Sequence, residues 1–137
     1  MSDAANAAAL RTIYRDYLAC LNRRDWAALG QFVDDAVVHN ARPFGLAGYR
    51  AMLENDVREI PDLRFQIELL SVEPPLLACR LTFDCTPRGN LFGLPINGRR
   101  VRFGENVFYR FGGASRAAKI VEVWSVIDTA AIEAQLS

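Results

Sequence analysis

The chain has 137 residues, 51% of them apolar, with 16 acidic and 16 basic side chains that leave no net charge. That length and apolar content predict one domain, residues 1–137, around a single substantial core. Zero net charge with scattered Lys and Arg excludes the basic footprint of a nucleic-acid binder and the polybasic patch of a membrane-surface protein, and no apolar run approaches the roughly 18 residues of a membrane span.

The opening M-S-D-A-A-N has neither a basic stretch nor an apolar one behind it, so no export signal is expected. From about Ala4 to Leu21, the residues Leu10, Ile13, Tyr14, Tyr17, Leu18 and Leu21 recur at steps of three and four, the stripe of an amphipathic helix. Asn22 to Asp25 breaks it. Asp25 can cap a second, shorter helix whose inner face is Trp26, Leu29, Phe32 and Val33, ended by Asp34 and Asp35. Ala36 to Asn40 reads as a short extended segment leading to His39, the sole histidine, and Ala41 to Leu46 as a loop. A third helix is expected from about Ala47 to Ile60, with Tyr49, Met52, Leu53, Val57 and Ile60 on one side and Pro61 as its stop.

After Pro61 the period changes from helical to two. Leu63 to Glu73 sets Phe65, Ile67 and Leu69 against Arg64, Gln66 and Glu68. Pro74-Pro75 turns the chain into Leu76 to Thr86, where Leu77, Cys79, Leu81, Phe83 and Cys85 share a row. Residues Pro87 to Gly98 are read as a long connection. Val101 to Phe111 and Lys119 to Asp128 are rich in β-branched and aromatic residues and form a long hairpin across Gly112-Gly113-Ala114-Ser115. Asp128 can cap a short terminal helix. Cys20, Cys79 and Cys85 are an odd set at spacings that match no metal motif, each in an apolar stretch, which predicts reduced core thiols and a cytoplasmic location. Helices followed by an antiparallel sheet is an α+β pattern. Both rows of each long strand carry apolar residues, so the sheet face away from the helices is expected to form a homodimer interface.

The runs V-V-H-N (Val37 to Asn40), G-L-A-G-Y-R-A-M-L (Gly45 to Leu53), P-D-L-R-F (Pro61 to Phe65), R-L-T-F (Arg80 to Phe83), F-G-L-P-I-N-G-R-R-V (Phe92 to Val101) and K-I-V-E-V-W-S-V-I-D (Lys119 to Asp128) come in the order of the SnoaL-like polyketide cyclases. The chain resembles that family, and the related ester cyclases, of the nuclear transport factor 2-like superfamily over nearly its whole length. The resemblance implies a cone-shaped, strongly curved antiparallel sheet wrapped round the first helix, with a pocket between sheet and helices. It also implies ring closure by intramolecular aldol chemistry with no cofactor and no metal, a carboxylate serving as acid and base.

Such chemistry removes a proton beside a carbonyl, which a desolvated carboxyl or a histidine near neutrality can do. Glu105 stands in the row Val101, Phe103, Val107, Tyr109 and Phe111, which is expected to face the pocket and to raise its pKa. A bulge at Gly104 would instead let Glu105 reach water or pair with Arg102. His39 falls on the family's H-N motif and is a candidate proton carrier or enolate donor, with Asn40 beside it as a substrate contact or turn former. Asp128 matches the aspartate following the family's tryptophan, and is either a cap or a third catalytic candidate. Trp124 is expected as pocket wall or core, with Phe103, Val107 and Tyr109 as further substrate contacts; Tyr14 and Tyr17 are core residues, one hydroxyl of which can reach the pocket.

Val107, Val123 and Ser125 stand where family members often carry acidic, polar or His side chains, so a more apolar pocket is expected. The leading expectation is a cofactor-independent cyclase- or isomerase-like enzyme for a hydrophobic carbonyl compound. The alternatives are a module that binds such a molecule without chemistry and a dimerisation domain with a vestigial pocket.

Overall fold

The computed structural model describes residues 6–112 and 118–136. Ala4 and Ala5 of the expected first helix, and Gly113, Ala114 and Ser115 of the expected hairpin loop, lie outside the described residues. Helix α1 spans Ala7–Asn22, opened by Asn6, whose side-chain oxygen accepts from the Ala9 N–H at 2.9 Å. Its predicted stripe is the buried one: Leu10, Tyr14, Tyr17, Leu18 and Leu21 are all core residues. The helix stops where Asn22 turns its amide onto another element. Asn22 Oδ1 accepts from the Phe65 N–H at 2.8 Å and its Nδ2 donates to the Phe65 carbonyl at 3.1 Å.

The second helix is shorter and tighter than its pattern suggested. Trp26–Gln31 is a 3-10 helix in which the Asp25 side chain makes no capping bond, and Val33 and the two aspartates after it already belong to strand β1, Val33–His39. Strand β1 then joins the sheet alongside the last strand, in parallel. Helix α2 is Gly45–Glu59, starting two residues before the expected boundary because Gly45 takes a φ of +67° that lets the chain enter the helix sharply.

Strands β2 (Gln66–Glu73), β3 (Leu76–Cys85), β6 (Val101–Gly112) and β7 (Lys119–Ile127) are antiparallel neighbours, and the sheet order is β1-β7-β6-β3-β2. The expected alternation in β2 fails halfway. A register shift between Ile67 and Leu69 changes the phase, so that Leu70 and Val72 would be misread by a strict period of two; the inner set is Phe65, Ile67, Leu70 and Val72, while Leu69 is 63% exposed. In β3 the predicted row Leu77, Cys79, Leu81, Phe83 and Cys85 is buried throughout. The long connection contains a small hairpin, β4 (Asn90–Leu91) and β5 (Leu94–Pro95), and the chain closes with α3, Thr129–Ala134. The result is α+β, as expected: a curved sheet with α1 and α2 on one face. All three cysteines are buried and unpaired.

The sheet's inner row and α1 meet through aromatic rings. Tyr14 and Tyr109 lie 4.9 Å apart between ring centroids, and Tyr17 lies 6.1 Å from Tyr109, edge to face. The Asn22 clamp fixes where α1 ends against the start of β2. Asn22→Ala removes both bonds and leaves the Phe65 peptide unpaired, so we expect a loss of about 1–3 kcal/mol in urea unfolding; an unchanged midpoint would show that the clamp is not stabilising.

Candidate functional site

Strand β6 builds the site's floor. It pairs with β3 without interruption from Leu76 opposite Arg110 to Cys85 opposite Val101, so Gly104 introduces no bulge and the alternation survives. Val101, Phe103, Val107, Tyr109 and Phe111 are buried on the inner side, and Glu105 stands among them. Arg102 points to the other face and is bound to Asp84 at 3.1 Å, which removes the alternative partner for Glu105. The Arg80 guanidinium crosses Gly104 so closely that a Cβ there would sit 2.6 Å from it and push that flexible side chain aside.

The inner row opens on a cavity of about 310 Å³ between sheet and helices, at the small end of the roughly 300–1,000 Å³ common for small-molecule sites. One end is aromatic: Phe83 lies 5.6 Å from Phe65 and 5.1 Å from Phe103 between ring centroids. Phe92 covers that end from the tip of the β4–β5 hairpin, its ring edge-on to Phe103 at 6.5 Å. Phe92 and Gly93 both have positive φ, +52° and +78°, the geometry of a two-residue primed turn in which asparagine is the ordinary first residue. A bulky aromatic there is strained, and what it gains is a place over the cavity mouth.

The other end is polar. Glu105 receives a short hydrogen bond from the Ser125 hydroxyl. Burial pushes its carboxyl up to about 6, the Ser125 bond opposes that rise, and the Asp56 carboxyl adds to it. Asp56 reaches the cavity from α2, and burial raises it, too, to about 6. Among the described residues no Lys or Arg lines the cavity to neutralise either carboxyl. His39, at the end of β1, stacks on Phe44 with ring centroids 5.5 Å apart and planes 7° from parallel. Burial lowers its pKa below the ordinary histidine value, so the ring is neutral at physiological pH. Tyr17 and Tyr49 share a 2.7 Å hydrogen bond, and Tyr14 donates to Tyr109 at 3.2 Å. Burial raises all four phenols, which keep their protons as donors.

Glu105, His39, Asn40, Phe103, Val107 and Tyr109 therefore converge on one cavity. Three other candidates do not. Tyr14 lies behind the wall, its hydroxyl donating to that of Tyr109 and its ring 5.9 Å from that of Tyr17. Trp124 is neither wall nor core: Tyr109 pairs with Val123, residues directly opposite share a face, and Trp124 therefore points outward, 40% exposed and opposite Phe108. Asp128 caps α3, accepting from the Ala131 N–H at 3.1 Å, and its carboxyl lies in a shallow groove on the outer side with Arg102 and Gly104.

The residue pattern also held signals for what the sequence reading missed. Asp56 falls on the stripe Tyr49, Leu53 and Ile60, a carboxyl at a core-facing helical position. Ser125 shares its face with Val123 and Ile127 on β7, a small hydroxyl in an apolar row. Tyr49, expected on one side of the same helix with Met52 and Leu53, contributes its hydroxyl. Among the described residues no group of three His, Cys, Asp or Glu side chains is placed to hold a metal, and no helix is long and apolar enough to cross a membrane.

A curved sheet around a long helix, with a polar-ended pocket between them, defines the nuclear transport factor 2-like class of α+β proteins. The family model for SnoaL-like polyketide cyclases matches residues 11–136, and the chain belongs to that family. Among solved structures it is similar to a SnoaL-like polyketide cyclase from Agrobacterium tumefaciens, with 55% identity, a TM-score of 0.89, and coverage of 93% of this chain and 98% of that one. TsrD from Streptomyces laurentii shares the fold at 23% identity and a TM-score of 0.80, with 97% and 98% of the two chains covered. AclR from Streptomyces galilaeus, a candidate hydroxylase, does so at 23% identity and a TM-score of 0.76, covering 96% and 97%. No curated protein matches the chain.

The raised Glu105 pKa has a consequence for stability. The folded chain binds this proton more tightly than the unfolded one, so the desolvation cost is absent below about 4.5 and grows as pH rises through about 6. Glu105→Gln never ionises. Relative to it, the wild type is expected to lose on the order of 2 kcal/mol between about pH 4.5 and 7 in urea unfolding. A difference between the two proteins that does not change with pH would refute the assignment.

Proposed function

We propose that the cavity binds a hydrophobic carbonyl compound and rearranges it by proton transfer, as a cyclase or isomerase working without an added cofactor. The observation that carries this reading is Glu105, a carboxyl near neutrality in an apolar wall, facing a second such carboxyl across the cavity. At neutral pH Glu105 is mainly ionised and can take a proton from the carbon beside a carbonyl. The electron pair left behind moves onto the carbonyl oxygen. Neutral His39 lines the same cavity as a donor for that oxygen, and so does whichever hydroxyl of the Tyr17–Tyr49 pair accepts in their mutual hydrogen bond and keeps its own proton free. The enolate then attacks a second carbonyl of the same molecule, closing a ring, or takes a proton back at another carbon. In either case Glu105 returns the proton it took, to the new alkoxide or to the other carbon, and the enzyme ends as it began.

The valines at 107 and 123 restrict this chemistry to one end of an otherwise greasy pocket, which suits a substrate that is mostly hydrocarbon or ring. They also support the second reading, a module that binds the same molecule unchanged. Hydrophobic β-keto esters followed by NMR in deuterium oxide separate the two. We expect exchange of the proton between the carbonyls, a rate that rises with pH through about 6, and a fall of about 10²- to 10⁴-fold in Glu105→Gln. His39→Ala and Asp56→Asn are expected to lose smaller factors. Saturable binding with no enzyme-dependent exchange would leave the binding module.

We also propose that a second copy of the chain covers the outer sheet face, a reading supported by the exposure of Leu76, Phe108, Trp124 and Val126 there. Buried free thiols favour a reducing compartment such as the cytoplasm. Trp124→Glu puts a charge at the centre of that face, and sedimentation is expected to show a dimer for the wild type and a monomer for the variant. A wild type that is monomeric at high concentration would refute the dimer.

A further inference from the structure

Asn40 lines the cavity, but its amide is occupied elsewhere. Asn40 Oδ1 accepts from the Ser125 N–H at 2.8 Å, and Asn40 Nδ2 donates to the Ser125 carbonyl at 3.2 Å. Its own N–H donates to the Val123 carbonyl at 2.9 Å. The side chain thus does for Ser125 what the next residue of β1 would do if the strand continued. It cannot continue, because Asn40 and Ala41 turn away with φ of +47° and +66°. Asparagine is among the few non-glycine residues that tolerate the left-handed region, and its amide supplies one donor and one acceptor in a single plane. Ser125 is the residue whose hydroxyl donates to Glu105.

We propose that Asn40 is a positioning residue for Glu105, acting through Ser125: by bracketing the Ser125 peptide it holds that hydroxyl on the Glu105 carboxyl. The effect on catalysis rests on the reading of Glu105 as proton carrier, but the positioning itself is measurable without substrate. The other titratable groups facing Glu105 are Asp56 from α2, His39 from β1, the phenols of Tyr17, Tyr49 and Tyr109, and the Cys79 thiol of β3. None of them is hydrogen-bonded to the Asn40 amide among the described residues.

The experiment is a carboxyl-carbon NMR titration of Glu105 in four proteins: wild type, Asn40→Gly, Ser125→Ala, and the double variant. Glycine removes the amide and keeps the left-handed backbone unstrained. Loss of a hydrogen bond to the ionised form raises a carboxyl pKa, so Asn40→Gly is expected to move the Glu105 midpoint upward by roughly half a pH unit, and Ser125→Ala by as much or more. In the Ser125→Ala background, Asn40→Gly is expected to change nothing. Should the glycine variant fail to fold, Asn40→Ser, too short to reach both backbone atoms, takes its place with the same expectation. A wild-type midpoint in the folded Asn40 variant, or an equal shift with Ser125 already gone, would overturn the proposal. Either result stands apart from the catalytic reading, which falls only if Glu105→Gln retains exchange activity.

Discussion

Desolvation of the Glu105 carboxyl is the constraint on which the site depends. A carboxylate on an inner strand row is costly, and a chain can meet that cost with a cation, with protonation, or with a hydrogen-bond donor. Here the nearest arginine of the same strand, Arg102, is engaged with Asp84 on the opposite face, and the donor is a serine hydroxyl. A neutral donor lessens the penalty without removing it, and the carboxyl stays near the pH at which it can both accept and release a proton. An arginine in place of Ser125 would hold the charge in place and end that usefulness.

Much of the surrounding architecture serves to keep that arrangement stable. The continuous register of β3 with β6 makes Glu105 face inward, and the pairing of Tyr109 with Val123 brings Ser125 to the same side. Asparagine amides complete the backbone bonding twice at points where regular structure runs out: Asn22 closes the end of α1 onto Phe65, and Asn40 closes the end of β1 onto Ser125. In both cases a planar amide meets an N–H and a carbonyl of one residue, so two orphaned backbone groups are satisfied by one side chain.

Periodicity revealed the rows that are apolar on one side only. The α1 stripe, the β3 row and the position of Glu105 within β6 follow directly from spacing, whereas the order of motifs speaks only through the resemblance to the family. Strand β7 was not legible in the same way, because Val123 and Ile127 on one row and Trp124 and Val126 on the other are equally apolar; only pairing to Tyr109 decides which faces the cavity. Strand β2 defeated the pattern through a register shift that no residue type announces. Asp56 was visible as a carboxyl on a helical stripe, but its partner lies roughly fifty positions away in sequence, and the spacing of charges along a chain does not reveal that two carboxyls face one another across a cavity.

The strained turn at Phe92 and Gly93 bears on how a guest arrives and leaves. Phe92 is 53% exposed, its ring edge-on to Phe103, so without a guest a large aromatic surface meets water at the cavity mouth. A molecule that fills the aromatic end covers that surface as well as its own, and the doorway itself gains from being occupied. Departure then requires re-exposing the ring. For the guest proposed above, the hairpin would lengthen the stay more than it would speed the entry, and slow proton-transfer chemistry would have time to finish.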